Sequence, residues 1–105
     1  MHFQIQSRLL DGAILSFIDE ESLYGYAVAK RVRSIFAVSD SSIYPVLKRL
    51  KKQQLVTTYD HSYHGRNRRY YKITAAGSTE LHTIAKEWWS FSNKINELMG
   101  EKWIK

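Results

Sequence analysis

The sequence predicts a mainly α-helical chain that contains one small β-hairpin. Apolar residues recur at spacings of three and four over most of its length, which indicates amphipathic helices. One central segment is instead rich in β-branched and aromatic residues around a polar, glycine-containing connection. A short turn separates the second and third helical segments. This order predicts a winged helix-turn-helix domain followed by a C-terminal dimerisation helix.

Length and composition restrict the classes of protein. The 105 residues can build one compact core, and we expect a winged-helix unit at 1–77, a dimerisation helix at 78–100 and a tail at 101–105. Cysteine is absent and the four histidines lack helical metal-ligand spacing; His61 and His64 fit an exposed polar loop better than a shared metal, so we expect no metal and no cofactor. Without a membrane-length apolar run, a signal-peptide pattern or a nucleophile–base set, we expect a cytoplasmic protein that is not an enzyme.

The net charge of +6 is concentrated in one segment. Residues 48–72 contain eight of the sixteen Lys and Arg residues and a single acidic residue, Asp60, which gives this segment a charge of +7. The flanking segments are nearly balanced. An ordinary soluble surface mixes the two signs, so a block of one sign indicates a polyanionic partner.

Two helices precede the basic segment. An apolar stripe over residues 5–18 predicts the first helix, and Gly12 within it indicates that another backbone crosses closely there. The second helix is predicted over residues 23–36, with Ser22 as its N-cap. Gly25 lies in its first turn, where it permits a close approach of the wing or of a phosphate.

The third helix is the predicted recognition element. Its apolar residues face the core, and its opposite face carries hydroxyl groups at the start and lysines at the end. Either Ser39 or Ser41 is the N-cap; with Ser41 the helix tolerates Pro45, whereas with Ser39 the proline lies deeper and kinks the helix. The expected DNA contacts of this segment are Ser39, Ser41, Ser42, Tyr44, Lys48, Lys51 and Lys52.

The predicted hairpin follows the third helix. Its strands are expected at 55–60 and 68–74, joined by a polar connection at 61–67 that is longer than a two-residue turn. A basic hairpin beside a recognition helix fits the phosphates that flank the major groove. The additional expected DNA contacts are Tyr24, Arg66, Arg68 and Arg69.

The last helix is predicted from Thr74, as its N-cap, to about Met99. Apolar residues fill heptad positions a and d without interruption, and a domain of this size cannot cover so long a stripe. We therefore expect a two-fold homodimer. Trp88 and Trp89 either pack in its interface or line a pocket for a planar aromatic small molecule. The expected interface residues are Leu81, Ile84, Phe91, Ile95 and Leu98.

Three motifs in register resemble the PadR family of bacterial transcriptional regulators. They are LYGY at 23–26, SIYPVLKRL at 42–50 and RRYYKITAAG at 68–77. With one helix after the wing, the chain is similar to the short-tailed subgroup that includes the multidrug-sensing regulators of lactic acid bacteria. The resemblance implies a DNA-binding repressor that an aromatic effector relieves. This sequence departs from the family pattern at Gln53-Gln54, where an acidic residue and Gly are usual, and at Ala75, where an acidic residue is usual.

Two other functions remain open on the residues alone. A winged helix that binds a protein partner would carry acidic or apolar residues on the third helix, where this chain has Lys48, Lys51 and Lys52. An RNA-binding module would instead stack unpaired bases on aromatic side chains. The tyrosines available for such stacking are Tyr59, Tyr63, Tyr70 and Tyr71.

Overall fold

The structure is a computed structural model that describes residues 3–100. These residues form four helices, α1 (Ser7–Glu20), α2 (Gly25–Ile35), α3 (Asp40–Lys52) and α4 (Ala75–Met99). They also form three strands, β1 (Leu23–Tyr24), β2 (Val56–Tyr63) and β3 (Arg66–Ile73), in one antiparallel sheet of order β1-β3-β2. The predicted fold class is confirmed, and the C-terminal helix is present. The predicted tail at 101–105 lies outside the described residues.

The core lies where α1, α2 and α3 meet. Their apolar faces are buried, and β1, β2 and α4 each add one buried apolar side chain. No helix within residues 3–100 has the length and apolar character needed to cross a lipid bilayer. The buried apolar residues are Leu10, Ile14, Leu15, Ile18, Leu23, Val28, Ala29, Val32, Ile43, Leu47, Leu50, Val56 and Ile84.

The second helix begins later than predicted because Leu23 and Tyr24 form a strand. Leu23 pairs with Tyr71 and Tyr24 with Tyr70, in antiparallel register with β3. The N-cap of α2 is therefore Tyr24 and not Ser22. A strand of two residues has no periodicity, so the apolar pattern could not separate it from the helix. The pairing places the start of α2 beside the hairpin.

The hairpin is longer and its turn is tighter than predicted. β2 and β3 pair over eight positions, from Val56 opposite Ile73 to Tyr63 opposite Arg66. The turn consists of residues 64 and 65, whose φ angles of 49° and 77° are both positive, as in a type I′ turn. The prediction of a seven-residue connection was wrong because the polar residues on either side of the turn belong to the strands and are exposed.

A Schellman motif ends α3. The N–H of Leu55 donates to the carbonyl of Leu50, and the N–H of Gln54 donates to the carbonyl of Lys51, each at 3.0 Å. Gln54 has a φ of 62°, the left-handed conformation that glycine usually supplies. Gln54, which stands where the family usually has glycine, therefore has the backbone conformation that glycine usually adopts there.

Thr74 joins the end of α3 to the start of α4. Its Oγ1 accepts from the N–H of Gly77 at 3.0 Å and donates to the carbonyl of Gln54 at 2.8 Å. Its backbone N–H donates to the carbonyl of Leu55 at 3.1 Å. Gly77 is buried here, and a Cβ at this position would lie 1.9 Å from the Leu55 oxygen. Thr74 is thus the N-cap of α4, as the sequence predicts.

The helix that approaches Gly12 is α4. A Cβ on Gly12 would lie 2.8 Å from the Cγ2 of Ile84, and Arg8 forms an ion pair with Glu87 at 2.5 Å on the same pair of helices. Ile84 is only 4% exposed, and Leu81 packs partly buried against the same core. The heptad pattern assigns both residues to a dimer interface, but the burial of Ile84 is complete within one chain and requires no second copy.

Candidate nucleic-acid interface

The exposed side of α3 presents hydroxyl groups first and lysines afterwards. Ile43, Leu47 and Leu50 are fully buried on the opposite side, so the helix has one free face. The Oγ atoms of Ser39 and Ser41 lie 2.7 Å apart at its start. The seven contacts expected from this segment are all exposed: Ser39, Ser41, Ser42, Tyr44, Lys48, Lys51 and Lys52.

Ser39 and not Ser41 is the N-cap of α3. Its carbonyl accepts from the N–H of Ser42 at 3.0 Å and of Ile43 at 3.2 Å. Pro45 is consequently the sixth residue of the helix and lies in its interior. Because proline has no N–H, the carbonyl of Ser41 lacks its usual donor four residues later. The first turns of α3 thus have one backbone hydrogen bond fewer than a regular helix.

Tyr44 lies where α3, α2 and the sheet meet. Its Cε1 and the Cε1 of Tyr71 lie 3.5 and 3.6 Å from the position that a Cβ on Gly25 would take. Partial burial, and then the charge of Asp40, raises the pKa of Tyr44 above its ordinary value of 10.0. Asp40 itself forms an ion pair with Arg33 of α2. The Tyr44 phenol is therefore protonated at neutral pH and can donate a hydrogen bond to a base edge.

Arg66 and Arg69 are the exposed arginines of the hairpin. Arg69 lies 3.4 Å from Asp60, which is its partner across the two strands. Both side chains of that pair are more than half exposed, so the interaction is screened and can be exchanged for another anion. Arg66 forms no ion pair with any residue between 3 and 100. These two guanidinium groups are available to phosphates.

Arg68 has different surroundings. Its guanidinium carbon lies 4.3 Å from the ring centroid of Tyr24 and 4.0 Å from that of Tyr63, so the group sits against two aromatic faces. The side chain is half-buried. The sequence predicts that Arg68 contacts DNA, as it does for Arg66 and Arg69. In the structure the guanidinium of Arg68 lies instead against the ring of Tyr24.

A cleft of about 500 Å³ separates the start of α2 from the hairpin. Sequence reasoning missed Tyr26 in this cleft, although it is 53% exposed and its ring centroid lies 5.9 Å from the Arg33 guanidinium carbon. The pairing of β1 with β3 is what brings it here, and a two-residue strand gives no sequence signal for that pairing. The cleft is lined by Tyr24, Gly25, Tyr26, Arg66, Asn67, Arg68, Arg69 and Tyr71.

The C-terminal half of α4 exposes large apolar side chains. Leu98 is 82% exposed, Trp89 69%, Phe91 59% and Trp88 48%, while Ile95 is partly buried. The rings of Trp88 and Phe91 lie 6.3 Å apart between centroids. Trp88 also borders an apolar groove of about 430 Å³ between α1 and α4, which Trp89 does not line. The two tryptophans thus lie in different surroundings.

Comparison with known families gives one match over most of the described chain. The family described as "Transcriptional regulator PadR-like family" matches residues 14–83. This range begins within α1, contains α2, α3 and the whole sheet, and ends in the first third of α4. It therefore includes every residue proposed above for contact with nucleic acid.

Solved structures show the same fold. A PadR-like transcriptional regulator from Bacillus cereus is 35% identical, with 87% of this chain and 91% of that chain covered and a TM-score of 0.78. A Streptococcus mutans protein is 29% identical, with 94% and 93% covered and a TM-score of 0.88. Bacillus subtilis PadR, solved in complex with operator DNA, is 26% identical, with 74% of this chain and 47% of that chain covered and a TM-score of 0.65.

Proposed function

The chain belongs to the PadR-like family of transcriptional regulators, and from this premise we propose that it binds double-stranded DNA in a sequence-specific manner as a homodimer. The observation that carries the proposal is its structural similarity to Bacillus subtilis PadR, which was solved on operator DNA. The concentration of positive charge in α3 and the hairpin supports the same partner. In this proposal residues 1–77 bind DNA and residues 78–100 form the dimer.

The contacts divide into those that read sequence and those that supply affinity. We assign base reading to Ser41, Ser42, Tyr44 and Lys48, which extend from the free face of α3 where a major groove would receive it. Lys51 and Lys52, at the end of that helix, reach towards phosphates together with the hairpin arginines Arg66 and Arg69. Phosphate contacts carry no sequence information, so they strengthen binding to every duplex alike.

Exposed apolar area on α4 supports the dimer. Phe91 and Leu98 occupy one heptad position, d, and both are more than half exposed in a single chain. Several large apolar side chains exposed together on one helix commonly mark an interface. We therefore propose that the dimer is formed by the half of α4 that contains Phe91, Ile95 and Leu98, beyond the half that packs on α1.

Regulation by a small molecule is proposed at the two tryptophans. A planar aromatic compound that stacks on Trp88 or Trp89 better in one spacing of the two α4 helices shifts the dimer towards that spacing. The two recognition helices move with it, because only three residues separate the end of β3 from Gly77, which lies against Ile73 and against Leu55 just after α3. A DNA-bound dimer excludes other proteins from the duplex that it covers, so repression is the proposed sign of regulation.

Dye titration tests the effector site. A planar dye should quench the tryptophan fluorescence of the wild-type dimer, and Trp89→Ala should reduce both the quenching and the release of DNA by the dye. Unchanged quenching and release in that variant would remove Trp89 from the proposal.

Binding to three nucleic acids of one length tests the proposed function. The probes are the duplex upstream of the protein's own gene, a duplex of shuffled sequence and a single-stranded RNA. Preference for the upstream duplex is expected. Tighter binding to the RNA would favour an RNA-binding module, and binding to none of the three would favour a protein partner; either result contradicts the proposal.

A further inference from the structure

The outer half of the β2–β3 hairpin extends beyond the short strand β1. β1 contains two residues and pairs with β3 only at Tyr70 and Tyr71. From Asp60 and Arg69 to the turn, the hairpin has two strands. A two-stranded hairpin is marginally stable in water unless another part of the protein packs against it. The outer half therefore depends on side-chain contacts to the rest of the sheet.

Arg68 supplies such a contact. Successive side chains of a strand alternate between faces, so Arg68 shares its face of β3 with Tyr70, whose partners on the neighbouring strands are Tyr24 and Tyr59. From that position the Arg68 guanidinium reaches the ring of Tyr24 on β1, at 4.3 Å, and the ring of Tyr63 near the turn, at 4.0 Å. One planar cation thus connects the inner strand with the outer end of the hairpin.

Further aromatic contacts lie next to this one on the same face of the sheet. The ring of Tyr70 lies 5.7 Å from that of Tyr24 and 5.5 Å from that of Tyr59, between centroids. These rings form the inner layer of the same face, and Arg68 extends the layer outwards to Tyr63. A guanidinium is flat and weakly hydrated, so it can lie against two rings, whereas an ammonium is a compact and strongly hydrated charge.

We infer that Arg68 is a positioning residue, which holds the outer half of the hairpin against β1 through the rings of Tyr24 and Tyr63, and that it is not a phosphate contact. Its neighbours Arg66 and Arg69 are exposed and carry the contacts to DNA. The inference about DNA rests on the proposed function, whereas the inference about the hairpin concerns the free protein. The two are tested separately.

Hydrogen exchange of the free protein tests the first part. In Arg68→Ala and in Arg68→Lys the backbone amides of residues 60–69 should exchange about tenfold faster than in the wild type, because the contact to both rings is lost. Arg66→Ala, on the same strand but exposed, should leave these amides unchanged. Amides of α1 to α3 report whether each variant is folded. Wild-type exchange in Arg68→Lys would overturn the inference.

The rings provide a second pair of variants. Tyr63→Phe keeps an aromatic face for the guanidinium and should exchange as the wild type, while Tyr63→Leu should match Arg68→Ala. The double variant Tyr63→Leu with Arg68→Ala should then exchange no faster than either single variant, because both remove the same interaction. Additive acceleration in the double variant would show that the two side chains act independently.

DNA binding tests the second part. Arg68→Lys keeps the charge but should bind the upstream duplex about tenfold more weakly, while Arg31→Lys, the same change at an arginine of α2 that pairs with Glu21, should bind as the wild type does. Equal affinities of the two lysine variants would return Arg68 to the phosphate contacts. A wild-type protein that binds no DNA contradicts the proposed function and leaves the exchange experiment to decide the role of Arg68 in the hairpin.

Discussion

Gln54 has a left-handed backbone conformation at the end of α3, with a φ of 62°. This conformation costs a residue with a Cβ about 1 kcal/mol relative to glycine. The neighbouring hydrogen bonds of the Schellman motif use backbone atoms only, so glycine keeps them. We predict that Gln54→Gly increases the free energy of unfolding by about 1 kcal/mol, measured by urea denaturation.

Gln53 provides the matched control. It precedes Gln54 with a φ of −80°, in the right-handed region, where glycine gains nothing from the backbone conformation and loses the hydrogen bond that the Gln53 side chain accepts from Arg49. Gln53→Gly should therefore lower the free energy of unfolding by about 0.5 to 1 kcal/mol. Two shifts of the same sign would show that the φ of Gln54 is not what limits stability at this helix end.

Gly77 controls the junction between the DNA-binding elements and α4. A methyl group there would overlap the Leu55 carbonyl oxygen, at 1.9 Å, which accepts a hydrogen bond from Thr74. We predict that Gly77→Ala destabilises the protein by about 3 kcal/mol, because backbone must move to accommodate it. Gly25→Ala is the control, because the atom nearest to its new Cβ would lie 3.5 Å away, an ordinary contact. The free energy of unfolding, measured by thermal denaturation, should change by no more than about 0.5 kcal/mol in this variant.

The hairpin should contribute affinity without sequence preference. We predict that Arg66→Ala weakens binding to the upstream duplex and to shuffled duplex alike, and lowers the slope of log affinity against log salt by about 0.9, the value for one phosphate contact. Lys94→Ala, an equal loss of charge on α4, should leave the slope unchanged. A change confined to the upstream duplex would mean that Arg66 reads bases.

The sequence predicts those elements in which one segment determines its own structure. The apolar spacing of α3 and the capping of α4 by Thr74 are local, and both are confirmed. β1 is not local, since two residues form a strand only because Tyr70 and Tyr71 lie beside them. The connection of the hairpin was predicted too long because most residues of the strands beside the turn are polar and exposed.

The same distinction applies to the candidate site. The hydroxyl and lysine side chains of α3 follow from the helical period, and their exposure could be predicted. The difference in exposure between Arg68 and Arg66 depends on the ring of Tyr24, which is distant from both in the sequence but contacts Arg68 in the fold. Ile84 illustrates the limit of heptad reasoning, because an apolar stripe does not distinguish a contact with α1 of the same chain from a contact with a second copy.

The oligomeric state belongs to the whole molecule. Leu98 is 82% exposed, and we propose that it is covered in the dimer. We predict that Leu98→Asp produces a monomer at micromolar concentration, because an unpaired carboxylate would be buried in the interface. Ile35→Asp makes the same change at a 58% exposed position on α2 and should remain dimeric. Sedimentation velocity measures both; a monomeric wild type, or a dimeric Leu98→Asp, contradicts the prediction.

The central claim is that α3 reads the sequence of a DNA duplex, and the ratio of affinities for upstream and shuffled duplex tests it most directly. At physiological salt the wild type should prefer the upstream duplex by about 10³-fold or more. In Tyr44→Ala this ratio should fall by about tenfold or more while the affinity for shuffled duplex is retained, because one base contact is worth about 1 to 3 kcal/mol. A wild-type ratio near one, or an unchanged ratio in Tyr44→Ala, would contradict the account.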